Sequence, residues 1–162
     1  MTRGRTLART GAAVVATALA GSVATSPDSS WYRSLDLPSW QPPTVAFPIV
    51  WTLLYADIAV TTAVALDRLE EDGDQRGRRA LWTALGVNLA LNAGWSALFF
   101  RAHRPGLAAL ESAVLTASSA DLARRVSRAS PAAGKALAPY AGWTGFATVL
   151  SATIVRRNRT RA

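Results

Sequence analysis

Cysteine is absent from this chain of 162 residues, and histidine occurs once, as His103. Without cysteine the protein can form no disulfide bond, no thiolate metal site and no cysteine nucleophile. A single histidine in a predicted loop leaves no combination of nucleophile, base and orienting group, and no cluster of metal ligands. We therefore expect no metal ion, no cofactor and no conventional catalytic residue.

Charged residues are also scarce, at 17% of the chain, whereas 50% of the residues are hydrophobic. This composition excludes a disordered chain. The formal net charge of +8 would fit a nucleic-acid-binding protein, but the arginines stand at the tips of apolar segments and form neither a basic stripe nor a base-reading motif. The pattern predicts that they flank a lipid bilayer, and that nucleic acid is not a partner.

Five apolar segments cover most of the chain, at about residues 7–25, 45–66, 80–100, 107–126 and 136–155. A helix needs roughly 20 residues to cross the hydrocarbon core of a bilayer. The segments therefore predict an all-α fold, an integral membrane bundle of five transmembrane helices, as a single domain over residues 1–162. We expect a multi-pass protein of the cell membrane. Arginine almost replaces lysine, which is typical of a GC-rich bacterial gene and favours a bacterial inner membrane.

Two alternatives remain open from the pattern alone. The first segment is short and rich in small residues, so it also fits a signal peptide cleaved after residues 22–24. A soluble alanine-rich bundle is the other alternative, but its helices should each show a continuous charged face. The second, third and fifth segments show none.

A proline-rich loop, residues 26–44, precedes the second segment and carries Trp31, Tyr32 and Trp40. Proline fixes its own φ and holds the preceding residue in extended geometry, so residues 37–43 cannot be helical. Aromatic residues beside an apolar run suit the headgroup level of a membrane. We predict a stiff loop that covers the helices as a lid.

Four motifs follow one another along the chain: W-Y-x-x-L-x-x-P-S-W-x-P-P from Trp31, P-x-V-W-x-x-L-Y from Pro48, L-A-L-N-x-x-W-x-x-x-F-F from Leu89 and P-Y-x-x-W-x-x-F-A-T-x-L from Pro139. Together they resemble the TspO/MBR family, the tryptophan-rich sensory proteins whose mitochondrial members are the translocator protein or peripheral benzodiazepine receptor. The resemblance covers most of residues 31–158. It implies a five-helix membrane bundle whose first segment is retained as a helix.

The resemblance also implies a ligand cavity among the helices beneath the first loop, which in the family takes porphyrins and synthetic aromatic ligands. The positions assigned to this cavity are Tyr32, Pro42, Trp51, Tyr55, Asn92, Trp95, Trp143 and Ala147. Tryptophans on facing helices would form a flat apolar slot that suits a planar macrocycle. Ala147 would matter because its small side chain leaves the floor of the cavity open.

Each of these positions also has a purely structural interpretation. Tryptophan in a membrane protein is usually an interfacial anchor, which is the expectation for Trp31, Trp40 and Trp82. Trp51 could be plain core packing, and Asn92 could bond across helices, as buried amides in membranes do.

Asp57 falls near the middle of the second segment, where a carboxylate is costly. It could bind a cation or proton of a ligand, or it could be neutral or paired with a polar group on a neighbouring helix. The sequence leaves both interpretations open.

Gly86, Ala90 and Gly94 recur at every fourth residue of the third segment and form a ridge of small residues. Such a ridge lets two helix backbones approach closely. The resemblance implies a homodimer through this face. Packing inside the bundle is the alternative.

The resemblance implies a membrane-embedded binder of porphyrins or other tetrapyrroles, such as protoporphyrin IX or heme, that acts as a sensor, scavenger or regulator. One alternative is a weak enzyme that degrades porphyrin with light and oxygen, in which Trp51 and Trp143 would be the redox-active walls. Another is a carrier of porphyrin or a different hydrophobic ligand. Sterol binding is doubtful, because the aliphatic, tyrosine and basic pattern that accompanies it is missing before Arg156.

Overall fold

The structure, a computed structural model, describes residues 3–159. Within this range it contains α-helices and no β-strand, which confirms the all-α prediction. The helices are α1 (Arg3–Ala24), α2 (Ser30–Arg33), α3 (Ala46–Glu71), α4 (Gln75–Ser96), α5 (Pro105–Ala129) and α6 (Pro131–Asn158). α4 runs on into a π-helical turn, Ala97–Arg101. The predicted domain of residues 1–162 extends past the described residues at both ends.

The five long helices coincide with the five apolar segments but are longer than predicted. The largest difference concerns residues 67–79, which lie between the second and third predicted segments and are mostly helical. Arg68 pairs with Glu71 three residues on, and charge pairs at this spacing stabilise a helix. The turn itself is short: Gly73 takes a φ of 71°, and Asp74 caps α4 by accepting a hydrogen bond from the Gly77 N–H.

The helix α1 is part of the bundle. It packs along α3 and α4, with Val14 buried in the main core. The hydroxyl of Thr10 donates to the carbonyl oxygen of Ala59 at 2.9 Å. These contacts place the first segment against the other helices, as expected of a retained helix.

The core of the bundle is aliphatic, whereas large apolar side chains also cover its outside. Leu66, Leu85 and Leu122 are fully or almost fully buried, yet Val23 is 69% exposed and Leu53 67%. Exposed apolar residues of this kind occur on all five long helices. A protein surface with exposed apolar side chains on every long helix is suited to lipid.

Length and composition identify three of the described helices as able to cross a membrane: Gly4–Ala24, Ala46–Glu71 and Gln75–Arg101. The structure therefore supports a membrane bundle, but on this criterion with fewer than the five spans predicted. Within the described residues, α5 and α6 do not meet this criterion. Hydroxyl side chains lie between the two helices, where the Ser112 and Thr116 hydroxyls each bond to the Thr148 hydroxyl.

α5 and α6 approach closely where they join. Ser130, the residue between them, has an extended backbone, as expected before Pro131. Three residues into α6, Gly134 is buried against the backbone of Ser127. Glycine is the residue that permits this spacing.

We predict that Gly134→Ala destabilises the fold. The added methyl carbon would stand 2.5 Å from the Cα of Ser127, and since the obstacle is backbone, the two helices would have to move apart. Overpacking of this kind costs about 1 to 3 kcal/mol. The thermal unfolding midpoint of the detergent-solubilised protein, followed by circular dichroism, should fall.

Gly142→Ala is the matched control on the same helix. A methyl carbon at this position meets no atom within 4 Å, and alanine favours a helix over glycine by about 1 kcal/mol. The midpoint should stay the same or rise. A Gly134→Ala protein as stable as the wild type would contradict the close approach of α5 and α6.

Candidate functional site

A buried hydrogen-bond network joins four helices at the centre of the bundle. Tyr140 of α6 is 0% exposed. Its hydroxyl donates to Oδ1 of Asn88 at 2.8 Å and accepts a hydrogen bond from Nδ2 of Asn92 at 3.1 Å, both on α4. Tyr55 of α3 donates to Oδ1 of Asn92 at 2.7 Å. The amide of Asn88 in turn donates to the Ser119 hydroxyl of α5 at 3.1 Å.

Two of the predicted ligand residues, Tyr55 and Asn92, belong to this network. In the structure the amide of Asn92 bonds across helices, which is the structural interpretation left open by the sequence. Its role toward a ligand stays a prediction. Tyr140, the centre of the network, was missed as a site residue, although it stands in the P-Y-x-x-W motif only three residues before Trp143.

Aromatic rings from α3 and α6 lie between this network and the first loop. Trp51 contacts Tyr55 and Tyr140, with ring centroids 5.3 and 6.3 Å away. Trp143 lies 6.0 Å from Phe47 and 5.2 Å from Phe146. The two tryptophans assigned to the slot therefore stand on facing helices, as predicted.

A second aromatic group lies at the end of α4. Trp95 stacks on Phe99, with centroids 5.2 Å apart, and meets Phe100 edge to face at 6.1 Å. Both phenylalanines reach the same tryptophan because the π-helical turn widens the helix here, a feature often found at functional sites. Tyr32 of the loop contacts Phe100 at 5.5 Å. Phe99 and Phe100 were not predicted as site residues, although they end the third motif.

The remaining predicted residues take up less central positions. Pro42 and Ala147 are both half-buried, and Ala147 lies one helical turn from Trp143. Trp31 stacks on His103, with ring centroids 4.4 Å apart. Trp40 is more exposed and touches Phe146.

The loop of residues 26–44 is fastened to the far end of the chain. The side chain of Asn158 accepts a hydrogen bond from the Asp36 N–H at 2.9 Å and donates one to the Asp36 carbonyl oxygen at 3.1 Å. Arg157 adds an ion pair to the Asp36 carboxylate at 2.9 Å. Within the loop, Gln41 donates to the Tyr32 hydroxyl at 3.1 Å. These contacts hold the loop over the aromatic residues.

Asp57 does not join the aromatic groups. Its side chain is half-buried, and among residues 3–159 it makes no hydrogen bond or ion pair with a neighbouring helix. It therefore differs from Asp121, which pairs with both Arg124 and Arg125.

The ridge of small residues on α4 faces outward. Gly86 and Ala90 are exposed and Gly94 is half-buried. A side-chain carbon added at Gly86 or Gly94 would meet no atom of the protein within 4 Å. The alternative that these glycines serve close packing inside the bundle is therefore wrong.

A cleft of about 380 Å³ lies near this ridge, on the outer side of α4 and α5. Its lining includes Thr83, Val87, Ser118 and Arg125. None of the predicted ligand residues contributes to it, so the cleft is not the predicted cavity. Where the predicted residues converge, their rings pack against one another.

Comparison with known proteins agrees with the motifs. A family model for the TspO/MBR family matches residues 10–157. The chain is 33% identical over 146 residues to the tryptophan-rich protein TspO of Chlorobaculum tepidum, covering 89% of this chain and 90% of the relative. It is 31% identical to the uncharacterized membrane protein YtaB of Bacillus subtilis, covering 81% and 82%. It is 30% identical to the translocator protein of Sus scrofa, covering 81% and 76%.

We predict that Asn158→Ala loosens the loop, because it removes both hydrogen bonds to the Asp36 backbone. A hydrogen bond of this kind contributes about 1 kcal/mol. Trypsin cuts after arginine, and Arg33 is exposed in the loop. Loss of two such bonds should make cleavage after Arg33 in limited proteolysis about thirtyfold faster than in the wild type, as expected when cleavage follows the open population.

Arg156→Ala serves as the control, since Arg156 is exposed at the same end of α6 and lies next to the residues that hold the loop. Its loop should be cleaved at the wild-type rate. Equal cleavage after Arg33 in Asn158→Ala and the wild type would show that the loop is held by other contacts.

Proposed function

The chain belongs to the TspO/MBR family of membrane proteins, and from this premise we propose that it binds porphyrins or related tetrapyrroles within a five-helix membrane bundle. The binding region would lie beneath the loop of residues 26–44, which acts as a lid. In this role the protein is a sensor, scavenger or regulator in the cell membrane.

The case for five spans rests on the lengths of α5 and α6 and on which of their side chains are buried or exposed. They contain 25 and 28 residues, more than the roughly 20 that a membrane crossing needs. Hydroxyl groups on α5 bond to Thr148 of α6, whereas Leu110 and Val149 are 65% and 59% exposed. At these positions polar side chains lie between the two helices and apolar side chains face outward.

The observation that carries the ligand proposal is that the loop of residues 26–44 lies on both aromatic groups, with Trp40 against Phe146 and Tyr32 against Phe100. The loop supplies Tyr32, α3 supplies Trp51, α4 supplies Trp95 and α6 supplies Trp143. Flat rings on several elements offer the apolar faces that a planar macrocycle can stack against. The buried network of Tyr140 lies beneath these rings and offers polar groups that could fix the orientation of a ligand.

Porphyrin degradation and transport remain alternatives of the same site. In the degradation alternative oxygen would be the oxidant of the light-excited porphyrin, and Trp51 and Trp143 would be the redox-active walls. Light-dependent bleaching of bound protoporphyrin IX that is lost in Trp51→Phe and Trp143→Phe would favour it. Flux of porphyrin into sealed vesicles would favour a carrier.

We further propose that the protein forms a homodimer through Gly86, Ala90 and Gly94. The outward orientation of this ridge supports the proposal, because a second copy could bring its backbone close to α4. The bilayer surrounds the rest of the apolar surface.

Protoporphyrin IX should quench the tryptophan fluorescence of the detergent-solubilised protein in a saturable manner. In the variant that combines Trp143→Phe with Ala147→Leu, binding should weaken by about tenfold or more, because a stacking surface is lost and the space beside it is filled. A tenfold change corresponds to about 1.4 kcal/mol.

Trp82→Phe is the matched control, since it also removes one tryptophan. Trp82 lies thirteen positions before Trp95 on α4, which places it about 20 Å away along the helix. Its affinity should equal that of the wild type. Quenching that does not saturate in the wild type, or equal affinity in all three proteins, would contradict the proposed site.

The proposed homodimer leads to a second prediction, on the mass of the solubilised protein. The wild type should have the mass of two chains in size-exclusion chromatography with light scattering, and Ala90→Leu should shift it to one chain, because a larger side chain separates the two backbones. Ala117→Leu places the same side chain at an exposed position of α5 and should leave the dimer intact. A monomeric wild type, or a dimeric Ala90→Leu, would argue against this interface.

A further inference from the structure

Two buried polar groups near the aromatic residues have no partner. Both carboxylate oxygens of Glu111, on α5, are shielded from solvent and make no hydrogen bond within the described part of the chain. The same holds for the indole Nε1 of Trp95, on α4. An acceptor and a donor that are both buried and unpaired are costly, each by more than a typical hydrogen bond contributes.

The register of α4 and α5 places these two groups at one level of the bundle. The two helices are antiparallel, and Asn88 of α4 bonds to Ser118 of α5. Trp95 lies seven residues after Asn88, and Glu111 lies seven residues before Ser118. Seven residues make about two helical turns, so both side chains return to the faces on which α4 and α5 meet.

The register of α5 and α6 places Glu111 beside the predicted ligand residues. Ser112, the next residue of α5, bonds to Thr148 of α6 at 3.0 Å. Thr148 directly follows Ala147, which we assigned to the ligand site. Glu111 and Trp95 thus stand at the level of Ala147, between the Tyr140 network and the loop.

Within the described residues no side chain bonds to Glu111. The single hydroxyl proton of Tyr140 goes to Asn88. The arginine at the end of α4, Arg101, donates to the carbonyl oxygen of Val23. Arg125 is fourteen residues away on the same helix and pairs with Asp121.

We propose that Glu111 and the Trp95 indole N–H form a polar subsite that binds a ring amide, in which an N–H donor stands beside a carbonyl acceptor. The carboxyl group of Glu111 would accept the N–H, and Trp95 would donate to the carbonyl oxygen.

This chemistry narrows the ligand class. The proposal rests on the tetrapyrrole-binding function proposed above and concerns which tetrapyrroles fit best. A closed porphyrin holds its N–H groups at the centre of the ring and presents carboxylates at its edge, which cannot satisfy an acceptor such as Glu111. The terminal rings of an open-chain tetrapyrrole are ring amides and expose the N–H and the carbonyl together. The subsite therefore favours open-chain over closed tetrapyrroles.

The test compares biliverdin, as the open-chain probe, with protoporphyrin IX, as the closed probe. Affinities are taken from the change in absorbance of each pigment on titration with detergent-solubilised protein. Glu111→Leu should weaken biliverdin binding by about ten- to a hundredfold, the range expected for loss of a hydrogen bond to a charged or strongly polar group. It should leave protoporphyrin binding within about twofold of the wild type, since that ligand offers Glu111 no donor.

Trp95→Phe keeps the ring that stacks on Phe99 and removes only the N–H, so it should also weaken biliverdin selectively. Asp57→Asn is the matched control, because Asp57 is another half-buried carboxylate at mid-helix but lies apart from the aromatic groups. It should change neither affinity. The thermal midpoint of Glu111→Leu should equal or exceed that of the wild type, since no partner is lost.

Three outcomes would overturn the subsite. Unchanged biliverdin affinity in Glu111→Leu would show that Glu111 does not touch the ligand. An equal loss for both pigments would contradict the ring amide. A lowered thermal midpoint in Glu111→Leu would show that Glu111 supports the fold instead. If the wild type binds neither pigment, the proposed function itself fails, and this result is distinct from the other three.

Discussion

The hydroxyl of Tyr140 is the contact on which the arrangement of the bundle depends. It donates to one asparagine of α4 and accepts from the next, and through them it reaches Tyr55 of α3 and Ser119 of α5. A polar group in the interior of a membrane bundle must find its partner within the protein, because neither lipid nor water is available to it. The network therefore fixes the relative positions of four helices, in a way that aliphatic packing alone would specify less sharply.

The aromatic residues above this network depend on those positions. Trp51 contacts Tyr140 directly, so the wall of the proposed site is built on the network. At the loop side, Tyr32 packs on Phe99 and Phe100, and Asn158 holds the backbone of Asp36. The network, the aromatic rings and the loop therefore follow one another along the bundle. The loop is held by hydrogen bonds to Asn158, by an ion pair with Arg157 and by ring contacts.

Glu111 and Trp95 contrast with the satisfied network beneath them. Every member of the Tyr140 network has a partner, as buried polar groups in native proteins usually do. The carboxylate of Glu111 and the indole N–H of Trp95 do not. Local departures from the rule of polar satisfaction tend to occur at functional sites, and here the departure stands beside residues that the sequence motifs already assign to a ligand.

The sequence by itself determined the all-helical fold and the places of the five long helices, because apolar runs are local features. Its prolines determined the extended loop, and its collinear motifs determined the family and most of the aromatic walls. It misplaced the ends of α3 and α4, since charged residues at helical spacing continue a helix as readily as they form a loop. Only the tertiary structure decided that Phe99, Phe100 and Tyr140 contact the predicted ligand residues. It also showed that Asn158 holds a loop 122 residues away and that Glu111 stands level with Trp95. These relations depend on the register between helices, which side-chain contacts distant in sequence determine.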